Sequence, residues 1–272
     1  MSPIDANTAY HVVDGPFTFK FAVDAKHAVS KFPAEWSRTP WPAEDAGRVN
    51  GRSGGDKDPD MTPQVFIVGA DKGGVGKTMV SRALLDYFAV NSIEHRAFDT
   101  ETPNGMLKRF HPKTEMVDLT GSDGQMQVFD TLGAAITVLD IRAGLLSPTL
   151  KTLAEIGYLD PAKCKITVLH ILGNSQTSIG EVKAITDAIA TSRYIAVANR
   201  INDTKYEFPA GSLDIPKLDE RACESVDALS STFGAYINNG PSGVLSGYVK
   251  HWMGRVFQQF DAAKLITLKE GL

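Results

Sequence analysis

The chain has 272 residues, 43% hydrophobic and 22% charged, which suffices for one α/β domain with a sizeable core plus an appendage, or for two small domains. Its formal net charge is −4, from 28 Lys and Arg against 32 Asp and Glu. That balance excludes a strongly basic nucleic-acid binder and leaves DNA contact only to a local patch. No run approaches the ~18 apolar residues of a membrane-spanning helix, and Met1 to Asp5 lacks the start of a secretory signal, so the chain is expected to be cytoplasmic with no membrane span.

In chain order, residues 1–38 read as an extension that is partly ordered at most. Asp14-Gly15 between His11-Val12-Val13 and Phe17-Thr18-Phe19-Lys20-Phe21 is a hairpin signal weakened by Pro16, and Asp24 to Phe32 could form one or two helical turns. Residues 39–63 are rich in Pro, Gly, Ser and charge and read as a flexible linker. Met61 is an alternative start. From residue 64 to 272 strand and helix patterns alternate. Val65 to Val68 is a buried strand, and Thr78 to Phe88 has helical spacing at Val80, Leu84, Tyr87 and Phe88. Arg96-Ala97-Phe98 leads into Asp99, and Ala135 to Leu139 is a strand ending at Asp140. Ser147-Pro148 reads as a cap opening a helix to about Gly157. Ile166 to Leu172 is a strand, and Ser178 with Glu181 forms a capping box for a helix to about Thr191. Tyr194 to Ala198 and Ser212 to Ile215 are strands; Asp219 to Phe233 and Ser246 to Ala262 are helices. Alternation of this kind predicts an α/β fold, a mostly parallel twisted sheet with helices on both faces.

The strongest chemical signal is Asp71-Lys72-Gly73-Gly74-Val75-Gly76-Lys77-Thr78-Met79, placed after a strand and opening a helix. Backbone N–H groups that wrap a phosphate need a turn without side chains in the way, which Gly73, Gly74 and Gly76 allow. The helix then aims its positive end at the anion. Lys77 supplies a mobile charge and the Thr78 hydroxyl can ligate Mg²⁺.

With the second lysine, Lys72, this segment resembles the deviant Walker A loop of ParA/MinD-like P-loop ATPases. The resemblance extends to Asp99-Thr100-Glu101-Thr102-Pro103-Asn104, similar to the family's first switch, with Glu101 as the second acid and the proline one place late. Asp140-Ile141-Arg142-Ala143-Gly144 looks like the second switch, with Arg142 in place of proline. Val197-Ala198-Asn199-Arg200 resembles the adenine-recognising segment, and Ile215-Pro216-Lys217 the loop over the base. Asp71 stands where the usual loop has glycine. The matches span residues 64 to about 218. Within the family, the first switch and Leu107 to Pro112 look most like conjugal-transfer ATPases of the TraL type.

The resemblance implies ATP and Mg²⁺ as ligands, slow hydrolysis, and an ATP-dependent homodimer that a protein partner reads. It implies that Lys72 reaches across to the partner's phosphates, with Lys77, Asp99 and Glu101 also in catalysis. Thr78, Asp99 and Asp140 would serve Mg²⁺, and Gly144 would sense the terminal phosphate. Val75, Met79, Asn199, Arg200 and Pro216 would join the loop in holding nucleotide. Alternatives on the same scaffold are an ATP-dependent metabolic ligase and a catalytically degenerate nucleotide-binding scaffold. An iron–sulfur ATPase would need cysteines beside the switches, where Cys164 and Cys223 do not lie. On the last helix, Lys250, His251 and Arg255 interleave with Trp252, Val256, Phe257 and Phe260. That spacing predicts a core-facing aromatic stripe before it predicts a binding surface.

Overall fold

The structure is a computed structural model. It describes residues 62–133, 135–173, 176–189, 192–201 and 207–266, which belong to one compact unit. The expected N-terminal extension, nearly all of the linker, Met61 and the expected helix end at Thr191 lie outside the described residues.

Seven strands form one parallel sheet in the order β3-β2-β4-β1-β5-β6-β7. They are β1 Gln64–Gly69, β2 His95–Asp99, β3 Glu115–Met116, β4 Ile136–Asp140, β5 Lys165–Leu172, β6 Arg193–Asn199 and β7 Leu213–Ile215. The helices are α1 Lys77–Val90, α2 Met106–Phe110, α3 Ser122–Phe129, α4 Leu146–Glu155, α5 Gln176–Ala188, α6 Glu220–Ala228, α7 Phe233–Asn239 and α8 Gly243–Ala262. The central strands are apolar on both faces because helices cover both.

Alternation along β1 divides the core. Val65 and Ile67 join Leu139 and Val168 in one cluster with Val128 of α3, Leu146, Leu150 and Leu153 of α4, and Ile185 of α5. Phe66 faces the other side, where its ring lies 5.5 Å from that of Phe88 on α1. There Tyr87 of α1 meets Phe257 and Phe260 of α8 at ring distances of 5.1 and 5.4 Å. The Trp252 ring lies tilted against that of Phe233 and its N–H donates to the Pro216 carbonyl at 2.6 Å. The aromatic stripe of α8 is therefore core, as its spacing predicts, while Lys250 and Arg255 are exposed.

Local expectations differ from the structure in four places. Helix α4 starts before Ser147, so Ser147-Pro148 lies inside its first turn and Ser147 bonds to Asp71 instead of capping. Helix α5 starts before Ser178, so the expected capping box sits within it and Glu181 serves another purpose. The helix expected over Asp219 to Phe233 ends at Ala228, and a further helix, not expected, starts only at Phe233; each has its own cap, Asp219 accepting from Ala222 N–H and Thr232 from Ala235 N–H, both at 3.0 Å. Between them Ser230 takes a φ of 49°, which a continuous helix cannot contain. Helix α8 begins at Gly243 behind the cap Ser242, one turn earlier than expected.

Candidate phosphate-binding site

The loop from Asp71 to Gly76 leaves the C-terminal end of β1 and enters α1. Strand β1 lies between β4 and β5, while α1 carries the chain past β4 to β2. Ligands of open parallel sheets sit at such a change of direction, beyond the carboxyl ends of the strands. Asp99 and Asp140 are register partners at the ends of β2 and β4, so the topology brings both acids to this corner.

Gly76 takes φ 83° and ends the loop. A Cβ there would lie 2.2 Å from Asn199 Nδ2, so both the backbone and the space demand glycine. Because Gly76 has no side chain to cap α1, the first-turn N–H groups meet no side-chain acceptor. An incoming phosphate fits that need.

The Thr78 hydroxyl donates to Asp140 Oδ2 at 2.9 Å, and Lys77 Nζ donates to the Lys72 carbonyl at 3.4 Å. Burial is the main cause that lowers the Lys77 pKa, opposed by the carboxylates of Asp140, Glu101, Glu181 and Asp71. Asp140 is buried, and its pKa is pushed up to about 7, first by burial and next by the charge of Asp99. Its Oδ1 is buried with no hydrogen-bond partner; the Ser81 hydroxyl, itself without one, is near enough to weigh on its acidity. An orphaned carboxylate oxygen beside a threonine hydroxyl is a hard-oxygen donor set that a divalent cation would satisfy. Among the described residues no cluster of three His, Cys, Asp or Glu could hold a metal alone. Thr78 and Asp140 are the residues that would hold such a cation, which would supply positive charge toward an anionic ligand.

The other expected site residues are placed less simply. Asp99 is 1% exposed and accepts Glu101 N–H through Oδ1 at 2.8 Å and Leu107 and Lys108 N–H through Oδ2 at 2.7 and 3.3 Å. It holds the turn into α2, and Oδ1, which accepts a single N–H, keeps a lone pair for metal or water. Glu101 is exposed but close enough to Lys77 to raise its pKa. Gly144 N–H donates to the Asp71 carbonyl at 2.9 Å. Asn199 is 2% exposed and donates Nδ2 to the carbonyls of Val75 (2.9 Å) and Gly76 (3.3 Å), so it braces the loop. Reading a base would require its amide to let go of those carbonyls. Arg200 pairs with Asp214 and lies over the Phe208 ring, and Pro216 is buried with its carbonyl taken by Trp252. Lys72, Gly73, Gly74, Val75 and Met79 all lie on the loop or the first turn of α1.

The roles of three residues escaped the sequence. Thr100 N–H and Oγ1 both donate to the Asp140 carbonyl at 3.1 Å, and Thr100 Oγ1 accepts from Arg142 N–H at 2.8 Å, lacing β2's exit to β4's. Its only signal is its place after Asp99. The Glu181 carboxylate lies beside the backbone N–H groups of Asp71 and Lys72, which act to lower its pKa, and its Oε2 is buried with no hydrogen-bond partner. Burial raises its pKa first, then the charge of Asp71. It lies 3.5 Å from His170 Nε2, but burial lowers the His170 pKa to about 4, so the pair is not charged on both sides at neutral pH. Asp71 is the third, its carboxylate tied to Ser147.

No protein-family model matches the chain. The chain is 26% identical over 181 residues to Protein MobD of Acidithiobacillus ferrooxidans, covering 61% of this chain and 77% of that protein. The MinD cell division protein of Aquifex aeolicus, a solved structure, is similar at TM-score 0.45 and 10% identity over 76% of this chain and 100% of that one. A nucleotide-binding protein of Archaeoglobus fulgidus, solved in complex with ADP, is similar at TM-score 0.38 and 12% identity over 72% of this chain and 88% of that one.

Proposed function

We propose that this chain binds ATP with Mg²⁺ at the loop of residues 71–78 and acts as a slow ATP-driven switch of the ParA/MinD-like kind. One observation carries the reading: a glycine loop at the sheet's change of direction presents an uncapped helix end, Lys77, and Thr78 beside the orphaned oxygen of Asp140. Lys77 contributes charge to the phosphates. Thr78 and Asp140 hold the cation side. Lys72 reaches the phosphates of a second copy, so that ATP favours a homodimer and hydrolysis releases it. A protein partner reads the dimer, in plasmid or DNA partition, conjugal transfer (including the TraL type) or positioning. DNA itself is a lesser candidate because the chain is acidic overall.

A second reading, a nucleotide-binding scaffold with little turnover, is favoured by one feature: the Asp99 carboxylate is already shared among three backbone N–H groups. The two readings separate in solution. The mass of the protein is measured with Mg²⁺ and no nucleotide, ADP, or a slowly hydrolysed ATP analogue, for wild type and Lys72→Ala. The switch gives a dimer only with the analogue and only with Lys72. A mass indifferent to bound nucleotide contradicts the switch and leaves the scaffold, or a metabolic ligase.

A further inference from the structure

Asp71 occupies a glycine position of the usual loop, and both its carbonyl and its carboxylate are committed. Its N–H lies close enough to the Glu181 carboxylate to act on that group's acidity. Its carbonyl accepts Gly144 N–H at 2.9 Å. Its carboxylate accepts Ser147 N–H at 3.1 Å through Oδ1 and the Ser147 hydroxyl through Oδ2. Asp71 therefore ties the loop to the segment after β4 through its carbonyl and to the first turn of α4 through its carboxylate.

The contacts have an electrostatic sense. Ser147 N–H and the Ser147 hydroxyl are two donors that the Asp71 side chain removes from use by any other acceptor, while Gly144 N–H is held by a backbone carbonyl that any residue here would supply. Asp71 also adds a negative charge within reach of Lys77, Glu181 and His170, whose acidities it shifts. A nucleoside triphosphate carries one more phosphate and more negative charge than a diphosphate. It gains more from free donors here and loses more to a fixed carboxylate.

Resting on the nucleotide reading above, we propose that Asp71 is a positioning residue that holds the segment after β4 against the phosphate loop and biases the resting site toward the diphosphate. The bias is a coupling between the Asp71–Ser147 contact and the terminal phosphate, each weakening the other. Glycine at this position lacks the contact and its charge.

The test is calorimetric binding of Mg²⁺-ADP and of a Mg²⁺-bound, slowly hydrolysed ATP analogue to full-length wild type, Asp71→Gly, Asp71→Asn, Ser147→Ala and the Asp71→Gly/Ser147→Ala double variant. In Asp71→Gly the ratio of analogue to ADP affinity rises roughly tenfold, a common size for such couplings. Ser147→Ala moves the ratio the same way by less, and adds nothing once Asp71 is gone. Asp71→Asn, which keeps an acceptor but no charge, falls between. If Asp71→Gly does not fold, the Asn and Ser147→Ala variants carry the test by the same ratio. Wild-type binding with both affinities falling in parallel, or with the ratio fixed, makes the contact merely structural and overturns the inference alone. Wild type that binds neither nucleotide overturns the nucleotide reading and this inference with it.

Discussion

The two ends of α1 face opposite demands. At its C-terminal half, Leu84, Tyr87 and Phe88 are buried under the sheet and α8, and Asp86 accepts Phe233 N–H at 2.9 Å. Arg82 is only 3% exposed, yet its guanidinium lies between the Phe110 and Phe233 rings and pairs with Asp227 at 2.8 Å. At its N-terminal end the cap is a bare glycine, the residues are half-buried, and a buried carboxylate oxygen lacks a partner. One end is built to stay fixed and the other is left incomplete. A polar deficit that a ligand could fill, on a helix anchored at its far end, marks a site more clearly than any single residue does.

The largest effect that should separate the two ends is Phe260→Ala. Removing a fully buried ring costs about 3–5 kcal/mol, read as a lower urea midpoint. Nucleotide affinity per folded molecule should stay at the wild-type value; a loss there would mean that the ends are not independent.

Acid should act next. Burial lowers the pKa of His170 to about 4 and that of His111 to about 3. In the unfolded chain both titrate near 6.5, so on acidification the unfolded state takes up the protons first and stability falls. Above about pH 6.5 these residues cost nothing; between about pH 6.5 and 5 each removes about 2 kcal/mol. Urea unfolding at several pH values checks this, and His111→Gln should flatten the slope. A slope unchanged in that variant would show that His111 titrates freely in the fold.

Smaller still are the N-terminal caps of α6 and α7. Asp219→Ala and Thr232→Ala should each cost about 1 kcal/mol, measured by thermal unfolding. Because Arg82 reaches Asp227 and the Ser231 carbonyl across the break between α6 and α7, a larger loss for Thr232→Ala would show that the cap also sets the Arg82 pocket.

Most of the sheet could be read from the sequence because β1, β4, β5 and β6 are short apolar runs buried on both faces, set off by glycine, aspartate or asparagine. The loop was legible for the same reason that it would work: few other settings call for three glycines before Lys-Thr between a strand and a helix. Strand β3 and helix α2 were not legible. Strand β3 has two residues, and α2 has five whose N-terminal N–H groups are held by Asp99 from β2. Neither carries enough pattern to be seen without its neighbour. The break at Ser230 was hidden because apolar spacing runs across it. Asp99 read as a metal ligand because a strand-end carboxylate beside a phosphate loop has that meaning, yet the same carboxylate can equally gather backbone N–H groups. Asp71 and Ser147 are 76 residues apart, and only the fold shows that they meet.

The most direct measurement is calorimetric titration of the wild type and Lys77→Ala with ADP and with a slowly hydrolysed ATP analogue, each with and without Mg²⁺. The account predicts wild-type binding of both nucleotides, strengthened by Mg²⁺, and a loss of at least roughly a hundredfold, about 2.7 kcal/mol, in Lys77→Ala. Undiminished binding by a folded Lys77→Ala, or no binding by the wild type, would contradict it.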